Sequence, residues 1–178
     1  MAQKSRDFND LVTGGSRKAE LLHKEMIKQG IDFASGVPCG VLRHIIRNLQ
    51  EDTSVHHQPA NRESEAVGIA AGAYLAGKKP VVYMQNSGLF AASNDIASLV
   101  VPYRIPLLLL VSYRGCAGED AVQHLVTGRG TESLLTTLKI AYKICESDYI
   151  PRQVQSLCKI MRKTSQPVCL LFKRGWQT

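Results

Sequence analysis

The chain has 178 residues, 44% of them hydrophobic and 21% charged, with a formal net charge of +7. That length suits one domain with a sizeable core, and the longest apolar run, residues 105–111, is broken by Pro106 and too short to span a bilayer. The basic residues are scattered through SRKAELLHK, LRHIIRNL, GKK, KIMRKT and FKRGW without an aromatic-interleaved stripe, which argues against nucleic acid and for an anionic small substrate or an acidic partner subunit. The start, MAQKSRDFND, lacks the apolar segment of a secretory signal. Five cysteines (39, 116, 145, 158 and 169) form no CxxC pair and stand among apolar neighbours, as reduced thiols of a cytoplasmic protein do.

Residues 1–15, ending in TGG, read as a mobile tail, and residues 16–178 as a single domain. A helix is expected over 16–29, with Ser16 as N-cap, Ala19, Leu22 and Met26 on one face, and Gly30 as its stop. IDFASGVP is then a short strand, and VLRHIIRNLQ has helical spacing. SVHHQPA is a weak strand, residues 63–76 a helix of small residues, and PVVYMQN a buried strand. LFAASNDIASLVV reads as a helix, IPLLLLVSY as a strand and GCAGEDAVQHLVTGRG as a Gly-rich loop. TESLLTTLKI is a helix, AYKICE a strand, PRQVQSLCKIMRKT a helix with Pro151 in its first turn, and PVCLLFKR the sixth strand. Continuous apolar strands separated by helices imply an α/β, three-layer domain, a six-stranded parallel sheet covered by helices on both faces. Ligands of such sheets sit at the carboxyl ends of the strands, here GVPCG, QPANRE, QNSG and SYRG.

Several constellations there point to chemistry. MQNSGLF has the strand–turn–helix layout of a nucleophile elbow around Ser87, but Gln85 stands where the tight turn needs glycine. Asp120 and His124 are too close in sequence to orient one another comfortably in a triad; Ser87 and Gly88 serve more simply to cap the next helix. GRGTES lacks the context of a dinucleotide fingerprint. The histidines at 23, 44, 56, 57 and 124 show no metal spacing, so no metal site is expected from this chain alone. In QPANRESEAVGIAAGAYLAG, Asn61 can cap a helix whose positive end favours Glu63 and Glu65. Gly68 and Gly72 each cost about 1 kcal/mol relative to Ala inside a helix, so a bare face of this kind invites close approach, most naturally self-association or another subunit.

Glu63 followed by SEAVGIAAGAY resembles the glutamate helix of the pyrimidine-binding (PYR) domain of thiamine-diphosphate enzymes. GVPCGVL, RESEAVGIAAGAYLAGKKP, MQNSGL and IPLLLLVSYRG together are similar to the α-subunit family of sulfopyruvate decarboxylases, with the phosphonopyruvate decarboxylases close by, and the resemblance covers residues 16–174. It implies a thiamine-diphosphate-dependent 2-oxo acid decarboxylase turning sulfopyruvate into sulfoacetaldehyde and CO2, a step of coenzyme M biosynthesis or sulfonate metabolism. Phosphonopyruvate as substrate and a non-catalytic, regulatory PYR-like module are the alternatives. Glu63 becomes the catalytic carboxyl group that donates a hydrogen bond to N1′ of the aminopyrimidine. Burial beside apolar neighbours would raise its pKa in the required direction; Glu65 keeps a helix-start role.

Val37, Pro38, Asn86 and Ser87 join Glu63 in the implied cofactor-binding set, while Asn86 and Ser87, with Cys39 and Gly40, face the reacting carbon or the substrate. Arg62, Arg114 and His124 are candidates for the anionic tail of the substrate. The family holds the diphosphate and Mg2+ on a PP domain marked by Gly-Asp-Gly and a later Asn; this sequence has only GED at 118–120. The implied partner is therefore a β subunit carrying the PP domain. One departure stands out: Phe90 and Ala91 occupy positions where the family suggests Gly-Asn.

Overall fold

A computed structural model describes residues 16–116, 118, 119 and 121–176; the expected tail and Asp120 lie outside them. The helices are α1 (Arg17–Lys28), α2 (Arg43–Glu51), α3 (Glu63–Leu75), α4 (Asn86–Ala91), α5 (Ser93–Asp95), α6 (Val122–Thr137) and α7 (Ile150–Thr164). The strands are β1 (Phe33–Gly36), β2 (His56–Pro59), β3 (Pro80–Gln85), β4 (Leu108–Tyr113), β5 (Ala141–Ile144) and β6 (Val168–Lys173). They form the expected six-stranded sheet, in the order β2-β1-β3-β4-β6-β5, with every pairing parallel.

Alternation along the central strands explains why helices cover both faces. Val81, Tyr83, Leu108 and Leu110 point into one core with Ala19, Leu22 and Met26 of α1, Ile45 and Leu49 of α2, and Val154 and Leu157 of α7. Val82, Met84, Leu109 and Val111 point into the other, against Ala66, Val67 and Ala70 of α3, Leu89 of α4 and Leu135 of α6. A strand buried on both sides has little room for polar side chains, which is why residues 81–84 of β3 and 108–111 of β4 read as unbroken apolar runs. Each fully buried Leu or Val contributes roughly 1.5–3 kcal/mol, so these two cores on the central strands carry much of the stability of the fold.

Three local expectations are corrected. GCAGEDAVQHLVTGRG is not a loop from end to end, because α6 starts at Val122 and carries Gly128 and Gly130 inside it. A side chain at Gly128 would strike the backbone of Gly115, and Gly130 lies under the Phe90 ring, so tertiary packing selects these glycines. Asn61 does not cap α3: its backbone N–H donates to the Glu65 carboxylate at 2.8 Å, and Arg62 is the N-cap without a side-chain bond. Ser87 and Gly88 cap nothing, because α4 already begins at Asn86 and continues through α5 into a π-helical turn, Ile96–Val100. Ser16 does cap α1, accepting from the Ala19 N–H at 3.4 Å.

Candidate active site

From β1 the chain crosses outward to β2, whereas β3 and β4 lie on its other side, so the topology reverses direction between β1 and β3. A crevice opens at the carboxyl ends of strands at such a switch point. The loop after β1 (37–40) and the turn from β3 into α4 (85–88) border it. Val37 is fixed there by its N–H, which donates to the Tyr83 carbonyl at 3.2 Å. Pro38 and Gly40 are exposed and Cys39 is half-buried, its thiol sharing a 3.1 Å hydrogen bond with the buried Ser112 hydroxyl.

Glu63 opens α3 and its half-buried side chain reaches across to α4. There the carboxyl group rests on Gly88, so closely that a Cβ at that position would run into it. The carboxyl group makes no hydrogen bond or ion pair among the described residues. Glu65, one turn-face away, is occupied with the Asn61 N–H. The two acids at the head of this helix are thereby separated: one closes the helix end, the other is held against bare backbone with its oxygens uncommitted.

Asn86 is fully buried. Its amide donates to the Arg114 carbonyl and to the Thr131 hydroxyl, both at 2.9 Å, and its oxygen accepts the Arg114 N–H at 3.3 Å. It ties the end of β4 to α6, and its polar atoms face inward instead of toward a ligand. Ser87 is exposed and accepts from the Gln85 side chain at 2.7 Å.

Beside the switch point a cleft of about 690 Å³ is lined by Pro38, Cys39, Gly40, Val41, Arg43, Gln85, Arg114, Arg174, Gly175 and Trp176. Of the three residues suggested by sequence for an anionic tail, Arg114 alone lines it. Its guanidinium is engaged by Glu119 through two bonds of 2.7 and 2.8 Å, with side-chain exposures of 21% and 5%. These bonds hold the Glu119 carboxyl well down, to about 2, helped by the charge of Arg114, the Gly115 N–H and nearby His124. Arg62 is exposed at the head of α3 and His124 sits half-buried on α6, not in a loop; neither lines the cleft. Arg43, Gln85, Arg174 and Trp176 escaped the sequence reading. FKRGW runs off the end of β6, so the same strand-end rule applied there would have found Arg174.

The description "Thiamine pyrophosphate enzyme, N-terminal TPP binding domain" matches residues 17–136. The chain belongs to this family. It is similar to the sulfopyruvate decarboxylase subunit alpha of Methanocaldococcus jannaschii, 40% identical over 85% of this chain and 90% of that protein. The protein of the same name from Methanococcus maripaludis is 35% identical over 83% of this chain and 85% of its own length. A phosphonopyruvate decarboxylase of Streptomyces viridochromogenes is 38% identical over 60% of this chain and 27% of that protein.

The residues of this TPP-binding domain fit the pyrimidine end of the cofactor. The uncommitted Glu63 carboxyl group, seated in a cradle that a single Cβ would fill, is the right chemistry for a ring nitrogen. Among the described residues no three His, Cys, Asp or Glu side chains gather as a metal-ligand set, and no Gly-Asp-Gly occurs in the sequence. Among them too, no helix is long and apolar enough to cross a membrane.

Proposed function

We propose that this chain is the α subunit of a thiamine-diphosphate-dependent 3-sulfopyruvate decarboxylase, and that it acts in a cytoplasmic complex whose β subunit brings the PP domain with its Mg2+. The observation that carries this reading is the seating of Glu63 on Gly88 at the crevice edge, with no partner for its carboxyl group among the described residues. The likeness to two archaeal α subunits along most of the chain supports the substrate.

When bound, thiamine diphosphate supplies a nucleophilic thiazolium carbon and an electron sink for the pair released as CO2 leaves. Glu63 holds a proton at N1′ of the aminopyrimidine, and Gly88 fixes the direction from which it does so. Val37 and Pro38 border the pyrimidine. Cys39, Gly40 and Ser87 face the substrate side, with Ser112 orienting the Cys39 thiol. Asn86 is assigned a positioning role: by bracing Arg114 it fixes the end of β4. Arg62 and His124 are left to solvent or to the partner subunit.

Phosphonopyruvate is the second reading, favoured by the similarity to a phosphonopyruvate decarboxylase. Rates of CO2 release from the two acids, measured on the chain assembled with its β subunit, separate the two. Faster turnover of 3-sulfopyruvate is expected; a clear preference for phosphonopyruvate overturns the choice of substrate while leaving Glu63 in its role.

A further inference from the structure

Among the described residues the cleft beside the switch point is lined by three arginines and by no carboxylate. A concave surface of one sign concentrates counter-ions, and the three guanidinium groups differ in what already occupies them. Arg114 is neutralised by Glu119, whose carboxylate accepts two bonds from its guanidinium. Arg43 spends one N–H on the Gly40 carbonyl at 3.2 Å. Arg174 makes no hydrogen bond or ion pair among the described residues.

Backbone register explains why they converge. Tyr113 pairs with Lys173, so 114 and 174 are the next positions on neighbouring strands. The segment after β6 is then pinned over the 3-10 turn Gly40–Leu42 by Trp176. Its indole N–H donates to the Val41 carbonyl at 2.9 Å and its ring packs on Phe172 with centroids 4.5 Å apart. Arg43 and Arg174 therefore approach one cavity from two sides, on segments that a buried tryptophan holds together.

From this we infer that Arg174, seconded by Arg43, binds a tetrahedral oxyanion at the far end of the 2-oxo acid, and so selects substrates that carry such a group. A guanidinium fork suits the parallel oxygens of a sulfonate or a phosphonate and serves both. Calling that anion the tail of the substrate rests on the decarboxylase reading; the anion site itself does not. Arg114 is then a wall of the site, held by Glu119 and not by the ligand.

Trp176 is the single tryptophan of the chain, so intrinsic fluorescence reports on this cleft without any turnover. The full chain is titrated with sulfoacetate, phosphonoacetate, malonate and acetate at constant ionic strength in chloride, followed by fluorescence and by isothermal calorimetry. Saturable binding of sulfoacetate or phosphonoacetate is expected, malonate weaker and acetate weakest; the order of the first two shows which tetrahedral anion the cleft prefers. Loss of a charge-assisted pair weakens binding by about tenfold or more, so Arg174→Ala should lower the affinity by that factor, with Arg174→Lys between. Unchanged affinity in Arg174→Ala, no preference over malonate, or no saturable binding by either method overturns the inference. Failure of the decarboxylase reading shows differently, as an assembled complex that releases no CO2.

Discussion

Gly88 and Glu63 form the smallest unit on which the proposed function rests. A helical glycine costs about 1 kcal/mol relative to alanine, and at position 88 that cost leaves room for a carboxyl group. Alanine there runs into the Glu63 side chain from Cγ outward, not into backbone, so the fold should tolerate it by swinging that side chain, and its carboxyl group, aside. Gly88→Ala is expected to keep the thermal midpoint within a few degrees, because the helix gains what the displaced contact loses. Displacements of about 1 Å at a reacting centre cost on the order of a hundredfold in rate, and decarboxylation by the assembled complex should fall accordingly. Full activity would show that the position of Glu63 is set by something other than this contact. Glu65 was separable from Glu63 by sequence only through the family resemblance; the structure gives the physical distinction, because one carboxylate closes the helix end and the other does not.

Among the elements, α3 carries the clearest unused surface. Additional Cβ atoms at Gly68 and Gly72 would meet nothing within 4 Å among the described residues, and Leu75 on the same helix is 77% exposed. Alanine at either glycine should therefore stabilise the isolated chain, by up to about 1 kcal/mol per site in urea unfolding. Leucine at the same positions should leave the chain folded and block its assembly, with itself or with the β subunit, as read by sedimentation. Normal assembly of Gly68→Leu and Gly72→Leu would free this face of any role in subunit contact. The elements themselves were legible where burial is two-sided: β3, β4 and β6 are apolar because no face of them meets water. β2, at the sheet edge and largely exposed, gave only a weak signal. The first half of α6 was misread because glycine ordinarily breaks helices, whereas Gly128 and Gly130 answer to Gly115 and Phe90, partners that no local pattern reveals. Phe90, the departure from the family pattern, thus has a packing role on α6. In the arginine cleft the strand-end rule reaches Arg174, but its convergence with Arg43 depends on Trp176 bonding to the Val41 carbonyl, a long-range contact that no local pattern reveals.

For the molecule as a whole, stability should erode with acid in two stages. Burial, followed by the charge of His56, lowers His57; burial, followed by Arg43 and Arg47, lowers His44. Both lie below the ordinary 6.5 in the folded chain, so between that value and their folded pKa the unfolded state binds more protons. Their contribution is complete above pH 6.5 and is lost as the pH falls through the folded values. Glu119 follows, from its ordinary 4.5 down to about 2, as the bonds from Arg114 are broken by protonation. Urea midpoints measured across pH should fall first below 6.5 and again below 4.5; a midpoint unchanged from pH 7 to 5 would contradict the histidine stage.

The sheet, the crevice at its switch point and the seat of Glu63 support the proposal that this site holds one end of the cofactor and that a second chain holds the other. Turnover of 3-sulfopyruvate by the complex assembled with Glu63→Gln tests that claim most directly. Glutamine keeps the shape and removes the proton, and positioned proton transfer contributes about 10² to 10⁴ in rate. A fall in kcat of that size with assembly intact is predicted, and turnover equal to that of the unaltered complex would contradict it.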